Sequence, residues 1–192
     1  MRFAIDMDGV VSNFHASLID VANVIWPGRF PKSFVPDSWL YEGHLTELEL
    51  NQVMSAIHHV PYFWENQTPL PGMEELRAGL LPKDEAVFIT ARADTKGEPA
   101  TVQTAKWLHY RQLWPRGGYS SVIRVEDPAH KKDLFRALKL TNFLDDYAPT
   151  VEELNQIEGV QAFVFDQPWN RHATELPRVS SVTEYLAKIR AV

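Results

Sequence analysis

Apolar positions along the chain follow two alternating patterns. Short runs of strand length occur at Phe3-Ala4-Ile5, Ala86-Val87-Phe88-Ile89, Ser121-Val122-Ile123-Arg124-Val125, Asn142-Phe143-Leu144 and Val160 to Phe165. Between them apolar residues recur at helical spacing: Phe14, Leu18, Val21, Ala22 and Ile25; Leu50, Val53, Met54 and Ile57; Leu134, Phe135 and Leu138; Val182, Tyr185, Leu186 and Ile189. Further helices are predicted over residues 72 to 80 and 98 to 113, the second with Val102, Ala105 and Leu108 on one side. Thr46-x-x-Glu49, Thr150-x-x-Glu153 and Ser181-x-x-Glu184 have the spacing of capping boxes at helix starts. Five strands alternating with helices predict an α/β protein, a three-layer sandwich around a parallel sheet.

One stretch departs from this alternation. Residues 27 to 45 hold three prolines and the aromatics Phe30, Phe34, Trp39 and Tyr41 without a period, and read as an irregular lobe to which the helix after Thr46 belongs. His58-His59 ends that helix; adjacent helical positions diverge, so the pair reads as solvent-facing or substrate-contacting rather than as a metal site.

Composition narrows the classes. The 192 residues are 45% hydrophobic, enough for one domain with an inserted subdomain and a sizeable core. The net charge of −6 argues against a polymeric nucleic-acid partner and leaves a small phosphorylated ligand open. No apolar run approaches the roughly 18 residues of a membrane span, so the expectation is a soluble, cytoplasmic protein without a membrane partner. The absence of cysteine removes disulfides, thiolate metal sites and cysteine nucleophiles.

The chemistry-bearing residues cluster where strands end. Asp6 and Asp8 follow the first run and precede Gly9, which lets the chain turn sharply. Two nearby carboxylates repel, which favours a divalent cation held between them and other acidic groups. Thr90-Ala91-Arg92 follows the second run, where a hydroxyl and a guanidinium suit phosphate oxygens. Lys131 and Lys132 open a helix, and Asp145-Asp146 close the fourth run.

This order of motifs resembles the haloacid dehalogenase superfamily of phosphohydrolases across nearly the whole chain. Within it, Asp-Met-Asp-Gly-Val-Val-Ser-Asn-Phe, Phe-Ile-Thr-Ala-Arg, Phe-Leu-Asp-Asp and Phe-Asp-Gln-Pro-Trp-Asn-Arg are similar to the 5'(3')-deoxyribonucleotidase family and its bacterial and phage relatives. The resemblance implies a Rossmann-like core, residues 1 to 13 and 76 to 192, with a small helical cap inserted at residues 14 to 75. It implies Asp6 as nucleophile forming an aspartyl-phosphate and Asp8 as general acid/base. It implies Mg2+ held by the Asp6 carboxylate, the Asp8 backbone carbonyl and the Asp145-Asp146 pair. Thr90, the following amides of Ala91 and Arg92, and a lysine would hold phosphoryl oxygens. Lys131 is preferred to Lys132, since only one of two helical neighbours can face the site. Some relatives carry another carboxylate shortly after the acidic pair, where this chain has Tyr147-Ala148-Pro149-Thr150.

The activity implied is that of a Mg-dependent phosphomonoesterase, a 5'-nucleotidase on (deoxy)nucleoside monophosphates. The alternatives are a phosphatase of another small organophosphate and a catalytically silent domain that binds a nucleotide or protein. Phe14, nearest in sequence to the catalytic loop, and Trp39 and Tyr41, as a mobile lid, are the candidates for substrate contact. Response-regulator receivers and Asp-x-Asp glycosyltransferases fit less well, because the order and position of the acidic residues differ.

Overall fold

Six parallel strands form the middle layer among the residues that the computed structural model describes, 1–113 and 119–191. They are β1 (Arg2–Asp6), β2 (Glu85–Thr90), β3 (Tyr119–Arg124), β4 (Asn142–Asp145), β5 (Gln161–Phe165) and β6 (Arg178–Val179), in the order β3-β2-β1-β4-β5-β6. The helices are α1 (Phe14–Ile25), α2 (Glu47–His58), α3 (Met73–Gly79), α4 (Ala100–Tyr110), α5 (Lys131–Leu138), α6 (Ala148–Leu154) and α7 (Val182–Arg190). Side chains alternate across the sheet, as extended backbone requires. Phe3, Ile5, Phe88, Leu144 and Phe163 pack on one face against residues of α3, α4 and α7. Ala4, Val87, Ile89, Phe143 and Val164 pack on the other against α5 and α6. This is the three-layer sandwich that the strand and helix pattern predicts.

Central β1 sets the position of the site. It pairs with β2, Asp6 opposite Ile89, and with β4, Ile5 opposite Leu144, so Asp6, Thr90 and Asp145 arrive at one edge of the sheet. Among the described residues, no helix is long and apolar enough to cross a membrane.

Three local readings are corrected. β6 has only two residues, too few to show a period, and was not among the five expected strands. α6 starts at Ala148, so Thr150 lies inside the helix instead of capping it; the preceding turn is held by the Tyr147 N–H donating to Asp145 Oδ1 at 2.9 Å. At α7 the Ser181 hydroxyl accepts from Glu184 N–H, but the Glu184 carboxylate accepts from Ser180 N–H and Oγ, so only half of the box forms. The Thr46–Glu49 box at α2 is complete.

After β1 the chain folds back at once. Met7 C=O accepts from Val11 N–H (3.0 Å) and Ser12 N–H (2.8 Å), and Gly9 N–H donates to Ser12 C=O (2.9 Å). Gly9 has φ of 78°, and a Cβ there would sit 2.0 Å from Asp146 Oδ2. Asp146 is buried and its Oδ2 accepts from the Trp169 indole N–H at 2.9 Å, so it has little room to withdraw. Both conformation and space therefore demand glycine.

The lobe has a core of its own. Phe14, Leu18, Ile19 and Ala22 of α1 pack with Val53 and Ile57 of α2, and with Phe30, Tyr41, Leu45, Phe63 and Trp64. Residues between α1 and α2 form neither helix nor strand, as the aperiodic sequence suggests. The chain re-enters the main body beside its exit, with Asn13 N–H donating to Thr68 C=O (2.8 Å) and Leu70 N–H to Val11 C=O (3.0 Å). Met73 and Leu76 of α3 already belong to the sheet-side core.

Tyr41, expected as part of a mobile lid, is 2% exposed, and its hydroxyl is hydrogen-bonded to His15 Nδ1. Its bulk fills the lobe's core, so the lid reading for this residue is withdrawn. His15 is packed against the rings of Trp169 (centroids 4.0 Å apart) and Trp39 (5.2 Å). Burial pushes its imidazole down to about 4, opposed by the charge of Asp8.

Two expectations follow from these packings. The unfolded His15 imidazole titrates near 6.5 and the folded one near about 4, so between these values the unfolded chain binds more protons. This contribution is fully present above 6.5 and is lost as pH falls through the window, amounting to about 3 kcal/mol at most. Urea unfolding across the window should show a steeper loss for the wild type than for His15→Gln; equal slopes would contradict a buried neutral imidazole. Gly9→Ala should lower stability by about 1–3 kcal/mol from its backbone alone. An unchanged thermal midpoint would contradict the contact with Asp146.

Candidate active site

Three carboxylates meet at the sheet edge. Asp6 ends β1, Asp145 ends β4 and Asp146 follows it; each offers an oxygen within 4.8 Å of the others, and all three are buried. Lys131, the first residue of α5, reaches between them, its Nζ donating to Asp6 Oδ1 (2.6 Å) and Asp145 Oδ2 (2.7 Å). Lys132 points elsewhere and bonds Glu153 Oε1 at 3.2 Å. Neighbouring helical residues diverge, so one lysine enters the cluster and the other does not.

The charges in this cluster are unbalanced. Burial pushes the Asp6 carboxyl up to about 7; Lys131 opposes the shift, while Asp145 and Asp8 add to it. Burial, then Asp145 and Asp6, push Asp146 well above the usual carboxylate range, against the Trp169 hydrogen bond and Lys131. Burial works against the Lys131 ammonium, but Asp145 and Asp6 outweigh it and raise its pKa. One ammonium faces three carboxylates. Asp146 Oδ1 is buried and has no hydrogen-bond partner among the described residues. An orphaned carboxylate oxygen, excess negative charge and an all-oxygen donor set together fit a hard divalent cation.

Asp8 lies outside that cluster. The Gly9 turn aims its carboxylate at Arg92, whose Nε donates to Oδ2 (2.9 Å) and Nη2 to Oδ1 (2.8 Å). The Arg92 side chain, expected to meet phosphate, is instead buried beneath the site. Its Nη1 donates to Thr104 Oγ1 (2.9 Å), its Nη2 also to Ser12 Oγ (2.6 Å), and its Cζ lies over the Trp64 ring, 4.7 Å from the ring centroid. Thr90 ends β2, and its Oγ1 accepts from Arg92 N–H at 3.3 Å, which leaves the hydroxyl hydrogen free to donate elsewhere.

Asp6, Asp8, Thr90, Ala91, Lys131, Asp145 and Asp146 all line one cleft of about 580 Å³ between sheet edge and lobe. The lobe supplies an apolar wall that includes Phe14, Trp39, Met54, Ile57 and Trp64. Phe14 and Trp39 are thus brought to the site; Tyr41 is not. His58 lies on the cleft wall with Nδ1 bonded to Asp94 C=O at 2.8 Å, and neither it nor His59 joins the carboxylate cluster.

The sequence reading missed the bracing by the segment after β5. Gln167 Nε2 donates to Gly9 C=O (2.7 Å), Trp169 Nε1 to Asp146 Oδ2 (2.9 Å), and Asn170 Nδ2 to the backbone of Asp146 and Phe165 (2.8 Å each). Its signal was the Phe-Asp-Gln-Pro-Trp-Asn-Arg motif, which carried no assignment for these side chains. Ser12 and Trp64 were likewise unassigned.

Comparison with known proteins places this geometry. Residues 1–191 match the family model described as "5' nucleotidase, deoxy (Pyrimidine), cytosolic type C protein". No curated protein sequence gives a significant match. Among solved structures, the chain is similar to a HAD-superfamily hydrolase, subfamily IA, variant 1, of Geobacter sulfurreducens, with TM-score 0.59 and 14% identity over 98% of this chain and 95% of that one. It is also similar to the L-2-haloacid dehalogenase of Xanthobacter autotrophicus with chloropropionic acid covalently bound, with TM-score 0.59 and 13% identity over 98% of both chains. At these identities the structures show the fold, and the family match over nearly the whole chain shows the rest: the protein belongs to the cytosolic type C deoxy-5'-nucleotidase family and is a phosphoric monoester hydrolase of HAD-like fold.

Proposed function

We propose that the enzyme is a Mg-dependent 5'-nucleotidase that hydrolyses (deoxy)nucleoside monophosphates through an aspartyl-phosphate on Asp6. The observation that carries this reading is the shared cleft: Asp6, Asp8, Thr90 and Lys131 open into one space walled by aromatics of the lobe. The lobe that leaves at residue 14 and returns at residue 68 acts as its cap, shorter than the expected 14 to 75 because Met73 packs in the sheet-side core, and we take the cytosolic location from the family's description.

The chemistry uses two carboxylates in different surroundings. Lys131 holds Asp6 Oδ1, and Oδ2 attacks phosphorus as the bond to the leaving oxygen breaks. Asp8 gives its proton to that leaving alkoxide. In the second half Asp8 takes a proton from water, the water oxygen attacks phosphorus, and the bond to Asp6 breaks to release phosphate. The Thr90 hydroxyl, the Ala91 amide and the Lys131 ammonium hold the phosphoryl oxygens, while the Arg92 amide, expected to join them, donates to Thr90 Oγ1. The carboxylates of Asp6, Asp145 and Asp146, with the Asp8 carbonyl, would hold Mg2+, which when bound neutralises charge on the phosphoryl group. Phe14 and Trp39, which line the cleft, would contact the nucleoside and exclude water.

Phosphate release from a panel of nucleotides, deoxynucleotides and sugar phosphates tests the reading. Nucleoside monophosphates should rank first, EDTA should abolish release and Mg should restore it. Asp6→Asn should stay folded and lose on the order of a thousandfold or more in kcat. Wild-type turnover by Asp6→Asn would remove the nucleophile assignment, and a preference for sugar phosphates would remove the nucleotide assignment.

A further inference from the structure

Four of the five guanidinium N–H donors of Arg92 have partners among the described residues. Each of its guanidinium nitrogens has a partner: Nε on Asp8 Oδ2, Nη2 on Asp8 Oδ1 and Ser12 Oγ, Nη1 on Thr104 Oγ1. Its Cζ sits over the Trp64 ring, 4.7 Å from the ring centroid. The Arg92 side chain is 0% exposed, whereas that of Asp8 remains 17% exposed and lines the cleft. A planar fork held at both ends fixes the plane of the carboxylate it grips.

The two oxygens of Asp8 are not equivalent in this grip. Oδ1 accepts from Arg92 Nη2 and lies 2.9 Å from the Ser12 hydroxyl. The single hydroxyl hydrogen of Ser12 can serve either Asp8 or Gln67 Oε1, 3.1 Å away, and the charged acceptor makes the stronger bond. Both lone pairs of Oδ1 are then used. Oδ2 accepts only from Arg92 Nε among the described residues, so one of its lone pairs is left.

We propose that Arg92 is the positioning residue that aims Asp8 for proton transfer, and that Oδ2 is the oxygen that carries the proton. This rests on the acid/base role given to Asp8 above. As the phosphorus–oxygen bond breaks, Oδ2 delivers its proton to the leaving alkoxide; in the second half it takes one from the attacking water. A residue that aims the acid matters most when the leaving group needs a proton. An alkoxide such as a nucleoside 5'-oxygen needs one, and a nitrophenolate does not. Loss of the fork should therefore slow substrates in order of leaving-group basicity, an effect that general loss of packing does not produce.

The test compares kcat/KM for wild type, Arg92→Lys and Thr104→Val on a nucleoside 5'-monophosphate, a simple alkyl phosphate and aryl phosphates of graded phenol acidity, with the thermal midpoint of each variant. Lysine keeps the charge and loses the fork; valine keeps Arg92 and removes one of its anchors. Arg92→Lys should lose at least about tenfold more on the alkyl substrates than on p-nitrophenyl phosphate. Thr104→Val should show a smaller loss in the same order. An equal loss across the series, or none, in folded Arg92→Lys would overturn the proposal; should that variant not fold, the same outcome in Thr104→Val would do so. A wild type that releases phosphate from none of these compounds would overturn the phosphatase reading itself.

Discussion

The buried contact of Lys131 with Asp6 and Asp145 is the interaction on which the site depends. Unit charges about 4 Å apart interact by about 4 kcal/mol at an effective dielectric of 20. Three carboxylates within 4.8 Å of one another thus repel strongly, and one ammonium offsets only part of that. Such a cluster adds little to stability, since burying charges costs about what their pairing returns. Its value is chemical: it leaves an anionic site fitted to a divalent cation, and the ammonium holds Oδ1 of the carboxylate whose other oxygen would attack.

The parallel sheet makes this crowding possible with few residues. Adjacent β1 and β4 end at the same edge, which brings Asp6 next to Asp145 across a long sequence separation. Gly9 then performs a second task by permitting a left-handed turn against Asp146. That turn sends Asp8 out of the cluster and onto Arg92. Two aspartates only two positions apart thereby gain different surroundings, Asp6 among other carboxylates beside the Lys131 ammonium and Asp8 in a guanidinium fork that holds its orientation.

Much of this was legible from local pattern. Unbroken apolar runs and helical spacing report the sheet and its covering helices because each depends on a short window. The positions of Asp6, Asp145 and Asp146 at strand ends follow from the same pattern. The partners of Arg92 were not legible: Asp8 lies 84 residues away, and a side chain beside a strand end can as well face phosphate as the interior. Burial of Tyr41 depends on His15 and the fold of an aperiodic segment. Lys131 and Lys132 are chemically identical in the sequence, and only the rotation of α5 separates Asp6 from Glu153 as their partners. Trp169 was visible as part of a motif, but its hold on Asp146 exists only once β5 lies beside β4.

The most direct test of the central reading is the stereochemical course at phosphorus, followed with a phosphorothioate substrate made chiral by oxygen isotopes. Attack by Asp6 followed by attack of water inverts the centre twice, so net retention is the expected result. Net inversion would mean that water attacks the substrate directly, and would contradict Asp6 as the nucleophile.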